Sequence, residues 1–206
     1  MPRWHARKNV ATGQAAQPRV ACALALILAV TGYPCATAMA SFDAAIVKAP
    51  SFAPMRSDDR YYYVEFRARR DNVFGHSYVV LGAVDGQGRG RRLGTMGFGT
   101  ATGAPSGLLA IFGSAGRIGY TNDDIVSKPV ERVRISIDRA TVHRIARTTG
   151  AMHRTWTAYW LLSRNCNTFA GAIATEVGLN VPHVDAVRPD TYVRELRRLN
   201  SASVER

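Results

Sequence analysis

From residue 59 onward the chain alternates first and turns helical later. The stretch "RYYYVEFRAR" puts Tyr62, Val64 and Phe66 on one side and Tyr63, Glu65 and Arg67 on the other. That two-residue period predicts a half-buried strand. "GHSYVVLGAVD" is apolar on both faces, which predicts a more central strand. "DGQGRG" follows, with glycines that supply the positive φ of a tight hairpin, and "RRLGTMGF" reads as the returning strand. "VERVRISID" alternates again, with Val133, Ile135 and Ile137 inward and Arg132, Arg134 and Ser136 outward.

Helical spacing takes over after Asp138, a residue suited to cap "RATVHRIARTTGAMHRTW". Val142, Ile145, Ala146, Met152 and Trp156 form its stripe, and Gly150 weakens it. After the short apolar segment "AYWLLS", a second helix is predicted to start at Asn165 or Cys166 and to stop at Gly178, a natural C′ residue. "NVPHVDAVRP" reads as loop. "DTYVRELRRLN" is a last amphipathic helix, with a stripe of Tyr192, Val193, Leu196 and Leu199. Ser41 to Asp58 is an irregular lead-in. The glycine-rich run from Gly97 to Asn122 reads as a mobile loop beside the active site, with an apolar segment at Leu108 to Phe112. Its Gly97, Gly99 and Gly103 lack the spacing of a nucleotide loop, and Pro105 follows where a helix should begin. Strands thus cluster before helices, without βαβα alternation. The expected fold is α+β, a mainly antiparallel sheet of about four to six strands packed against the helix that carries Cys166. Residues 59–200 form its single domain and 201–206 a tail.

Composition changes the picture mainly at the amino terminus. Arg3, Arg7, Lys8 and Arg19 precede "VACALALILAV", an apolar run too short to span a bilayer. Ala38-Met39-Ala40 then resembles a cleavage site, so residues 1–40 are expected to be a cleaved signal peptide, and the protein to be exported, in a Gram-negative cell to the periplasm. Of the three cysteines, Cys22 and Cys35 leave with that peptide. Cys166 remains as a single thiol without an internal disulfide partner, either buried and inert or kept for chemistry. The net charge is +12, and beyond residue 40 there are 23 basic against 15 acidic residues. Such a domain is drawn to anionic surfaces, whether lipid headgroups, anionic glycans or nucleic acid, and contact with an anionic envelope surface is the expectation. The basic residues are scattered without a run of five, which reads as a solvated surface rather than a dedicated binding patch and does not predict a specific nucleic-acid site.

Two segments carry candidate chemistry. In "SRNCNTFAGAIATEVG", Asn165 is a good N-cap and Cys166 the first helical residue, where unsatisfied N–H groups and the helix dipole favour a thiolate. Ala170, Ile173, Ala174 and Val177 form the face expected to pack on the sheet. Asn165 and Asn167 either cap this helix or contribute to an oxyanion site. A thiolate nucleophile needs a base. His143 and His153 fall on the polar side of a helix, and His183 lies in a loop beside Pro182. His76 opens the central strand, behind Gly75, as a base or as a satisfied core histidine. No cofactor or metal is called for.

"GHSYVVLG" followed by "NCNTFAGAIATEVGLNVP" resembles the circularly permuted papain-like superfamily. That group includes permuted NlpC-type hydrolases and lecithin:retinol acyltransferase-like proteins, in which the histidine strand precedes the cysteine helix. The resemblance covers about Tyr61 to Leu199. It implies Cys166 as nucleophile and His76 as base, acting on an amide, ester or thioester of a peptidoglycan peptide or an acyl lipid. The family's third residue is polar and lies on the strand after the histidine strand. Here that strand is "RRLGTMGF", and Thr95 is the nearest candidate to orient the imidazole. The weakness of that candidate leaves a second expectation, an inactive envelope glycan- or lipid-binding module on the same fold.

Overall fold

A computed structural model of the chain describes residues 48–70, 74–101, 111–183 and 187–204. The expected signal peptide and the first part of the lead-in lie outside these residues, as do Gly103 and Leu108. The strands are β1 (Asp59–Arg69), β2 (His76–Asp85), β3 (Gly90–Thr100), β4 (Ser114–Gly119), β5 (Glu131–Ile137) and β6 (Ala158–Tyr159). The helices are α1 (Asn122–Val126), α2 (Arg139–Thr155), α3 (Cys166–Glu176) and α4 (Pro189–Leu199). The strands form one antiparallel sheet in the order β5-β1-β2-β3-β4-β6. The fold is α+β, and the histidine strand β2 is interior to the sheet, as its apolar run predicts.

One face of the sheet carries the core. Val64, Phe66, Val79, Leu81, Met96 and Phe98 meet Ile145 of α2, Ile173 of α3, and Tyr192 and Leu196 of α4. Ala170, Ile173 and Ala174 are fully buried, so α3 lies on the sheet by its small apolar face, across β2 and β3. The cap residues act as their types dictate. Asp138 accepts from Thr141 N, and Gly178, at φ +78°, follows the end of α3.

The other face departs from simple polar-out alternation. Glu65 is fully buried there between Arg67 and Arg134, and the Arg134 guanidinium lies 4.1 Å from the centre of the Tyr63 ring. A carboxylate pointing away from the helices is therefore covered, and it is paired on both oxygens. The irregular lead-in is pinned to the sheet: Ala53 N donates to Leu93 O, Lys48 pairs with Tyr120, and the Phe52 ring fills the space left by Gly94.

The glycine-rich run from Gly97 to Asn122 is corrected where it is described. It holds the end of β3, all of β4 and the first residue of α1. β4 escapes the periodicity test because "SAGRIG" has one large apolar residue, Ile118, and its pairing is with backbone on both sides. His143 is exposed, as its helix position predicts. His153 instead turns its Nδ1 to Ile118 O at 2.9 Å, tying α2 to β4.

Candidate active site

Three elements converge at the start of β2. The backbone turns into that strand at Gly75, whose φ of +76° an L side chain rarely adopts, and a Cβ there would sit 2.9 Å from Arg69 O. His76 is the next residue. Its ring lies over Gly97 of β3, where a Cβ would come 2.7 Å from Nε2 and 3.2 Å from Cε1, and it stacks within 8° of parallel on Tyr78. Glycine at position 97 is thus the space in which the imidazole lies.

Cys166 is the N1 residue of α3 and is 5 % exposed. Asn165 caps the helix. Its Oδ1 accepts from Asn167 N and Thr168 N, and its Nδ2 donates to Leu161 O. Phe169 N bonds to Asn165 O, so the second, third and fourth amides of the first turn are satisfied. The first, the N–H of Cys166 itself, has no acceptor among the described residues. Asn167 is a structural tie: its Oδ1 accepts from Ser77 Oγ at 2.9 Å and its Nδ2 donates to Val187 O. Both amides are engaged within the protein. The donor left free for an oxyanion is a backbone N–H.

The third polar partner of His76 comes from α1. Asp124, 1 % exposed, places Oδ1 3.9 Å from His76 Nε2. The same oxygen accepts from Arg69 Nε at 2.9 Å, and Oδ2 accepts from Thr121 N at 2.8 Å. Thr121 and Asp124 form a reciprocal capping box, which fixes the carboxylate against the strand ends. Thr95, the candidate orienter, is not the residue turned to the imidazole. It is paired with Val80, four positions along β2 from His76, roughly 13 Å at a strand's rise. It is buried, and among the described residues its hydroxyl has no hydrogen-bond partner.

The electrostatics follow from these contacts. Burial alone would push the Cys166 thiol up, but the hydrogen bond and charge of His76, then donors on Ser77, draw it down to about 7. The Ser77 hydroxyl donates to Asn167, which leaves the Ser77 backbone N–H as the donor facing the sulfur. Burial disfavours the charged imidazole of His76. The Asp124 carboxylate and the bond to Cys166 outweigh it, so His76 titrates above its ordinary value. Asp124 is buried too, yet the charges of His76 and Arg69 hold it below the usual carboxylate range.

Among the described residues, no group of three or more His, Cys, Asp or Glu side chains is arranged to hold a metal ion. No described helix is long and apolar enough to cross a membrane. Asp124 was missed by sequence reasoning, although "TNDD" contains the signal: a Thr with an acidic residue three positions later is a helix start. No family model, curated protein or solved structure matches the chain.

Proposed function

We propose that the domain is a thiol-dependent acyl-transfer enzyme, a hydrolase or an acyltransferase, with Cys166 as nucleophile, His76 as base and Asp124 as the residue that positions the imidazole. The observation that carries this reading is the meeting of the three side chains from α3, β2 and α1, with the thiol drawn down to about 7. A buried packing cysteine titrates upward instead. The alternative of an inactive binding module rests on the lack of a polar partner for His76 on β3; the Asp124 carboxylate, brought from α1, favours the enzyme reading.

In the proposed reaction the Cys166 thiolate attacks the carbonyl carbon of an amide, ester or thioester, forming a carbon–sulfur bond. The oxyanion is held by the free N–H of Cys166 at the positive end of α3. The His76 imidazolium gives its proton to the departing amine, alcohol or thiol as the bond from the carbonyl carbon to that leaving group breaks and the C=O bond re-forms. Water, or a second acceptor, then gives a proton to His76 and attacks the thioester, which releases the acid or the transferred acyl group and restores the thiolate. With Nε2 turned to Asp124, Nδ1 is the nitrogen left to exchange a proton with sulfur. The order of histidine strand before cysteine helix supports the resemblance to permuted papain-like enzymes, and cell-wall peptides and acyl lipids are the substrate classes it brings.

The test is intact-mass analysis of the protein after brief incubation with muropeptides or with phospholipids. The expected result is an adduct on Cys166, sensitive to hydroxylamine, with one of the two, and none in Cys166→Ser or His76→Ala. Turnover of a substrate by Cys166→Ala at the wild-type rate would remove the enzyme reading built on this thiol.

A further inference from the structure

The corner of the domain formed by β4 and β6 exposes an apolar cluster. Phe112 is 72 % exposed, Leu162 52 %, Trp160 42 % and Ile111 41 %. They are neighbours because Ser114 pairs with Tyr159 and Ala115 with Ala158, which brings the segment before β4 beside the segment after β6. The Trp160 ring lies on Gly113, where a Cβ would come 2.8 Å from it. Trp160 and Arg164 exchange backbone hydrogen bonds, so Leu162 stands at the tip of a closed turn.

Charge around this corner is one-sided. No Asp or Glu occurs between Arg139 and Thr175, a stretch that includes α2, β6 and the turn after it. Arg154 and Arg164 are exposed, and among the described residues neither is paired with a carboxylate. Elsewhere arginines are matched: Arg91 with Asp59, Arg194 and Arg197 with Glu131, and Arg198 with Glu195.

We propose that this corner is an interfacial membrane-binding surface that takes a bilayer containing anionic phospholipid. Phe112 and Leu162 enter the boundary between headgroups and acyl chains, Trp160 lies at headgroup depth, and Arg154 and Arg164 meet the phosphates. A polyanion such as nucleic acid would use the arginines but has no place for Ile111 and Leu162. A bilayer uses both. The surface lies outside the Cys166 site, and the proposal stands whether or not that thiol is a nucleophile.

The experiment uses the full chain with vesicles of phosphatidylcholine alone or with about one-third phosphatidylglycerol. Hydrogen exchange is read on peptides covering 111–117 and 158–164, and affinity by co-sedimentation. The mixed vesicles should protect both peptides, and salt should weaken the binding. Phe112→Ser/Leu162→Ser should abolish the protection and Arg154→Gln/Arg164→Gln should weaken it at least tenfold, the rate of Cys166 alkylation being unchanged in both. The second pair reads the same surface without touching its apolar side chains, in case the first fails to fold. Protection confined to residues 1–40, equal protection in the serine pair, or a dimer without vesicles that the serine pair dissolves would each overturn the proposal.

Discussion

His76 Nε2 lies 3.9 Å from Asp124 Oδ1, and that oxygen is itself held by Arg69 Nε. The imidazole is therefore set by a carboxylate from a short helix two strands further along the chain, and that carboxylate by an arginine on the neighbouring strand. The separation is a charge contact wider than a hydrogen bond, so Asp124 acts on the imidazolium chiefly through its field.

The first prediction follows from that field. Alkylation of Cys166 by iodoacetamide should rise with pH around 7, where the thiol titrates. His76→Ala removes the counter-charge and should move the inflection toward the ordinary thiol value of about 8.5. Asp124→Asn lowers the pKa of His76, since Asp124 raises it. Less imidazolium then faces the sulfur, and the inflection should move in the same alkaline direction by a smaller amount. Rates measured from pH 5 to 9 check both, and an unmoved profile in Asp124→Asn would remove Asp124 from the site.

Gly97→Ala tests the space under the imidazole. The new methyl would lie 2.7 Å from Nε2 and 3.3 Å from Tyr78 Cβ, so the ring must move. Alkylation at pH 6 should slow by about tenfold, while stability changes by no more than about 2 kcal/mol, a typical overpacking cost. The two readouts together separate a displaced histidine from a broken fold.

Thr95→Val separates the residue proposed from sequence from the one found. Its buried hydroxyl has no partner among the described residues, so its removal should leave the pH profile unchanged and stabilise the fold by up to about 1 kcal/mol. A shifted profile would return Thr95 to the site.

The fourth prediction concerns acid. Burial raises the Glu65 carboxyl, but bonds to Arg134 and Arg67 outweigh it and its folded pKa is lowered. A group lowered in this way contributes stability above its unfolded value, and the contribution is lost as pH falls through the folded value. Asp124 acts in the same direction. Urea unfolding midpoints should therefore drop as pH falls below about 4.5, the ordinary Glu range. Glu65→Gln should be less stable at pH 7 by about 3 kcal/mol and lose less on acidification.

The strands with two-residue alternation and the capped helices were legible because burial and capping leave local marks. Tyr62, Val64 and Phe66 alternate, Asp138 and Asn165 precede their helices, and Gly178 follows one. Cys166 and His76 stood out as a lone thiol at a helix start and a histidine at the mouth of an apolar strand. Asp124 did not, because a five-residue helix is shorter than two turns and shows no hydrophobic period. Thr95 was proposed because strand order can be read from the chain but register cannot. The residue of β3 under the imidazole is Gly97, which has no side chain to announce it. The burial of Glu65 was hidden for a related reason: its alternation with Val64 and Phe66 is that of an exposed position, and only Arg134, from a distant strand, shows otherwise.

The turn after β6 imposes a length constraint. Its backbone is closed between Trp160 and Arg164, and the Nδ2 of Asn165, whose Oδ1 caps the nucleophile helix, is anchored to Leu161 O at 2.6 Å. Side chains at 162 and 163 can vary freely with respect to that frame. The number of residues between Trp160 and Cys166 cannot: one residue added there would rotate Asn165 away from the first-turn amides and leave the thiol on an uncapped helix.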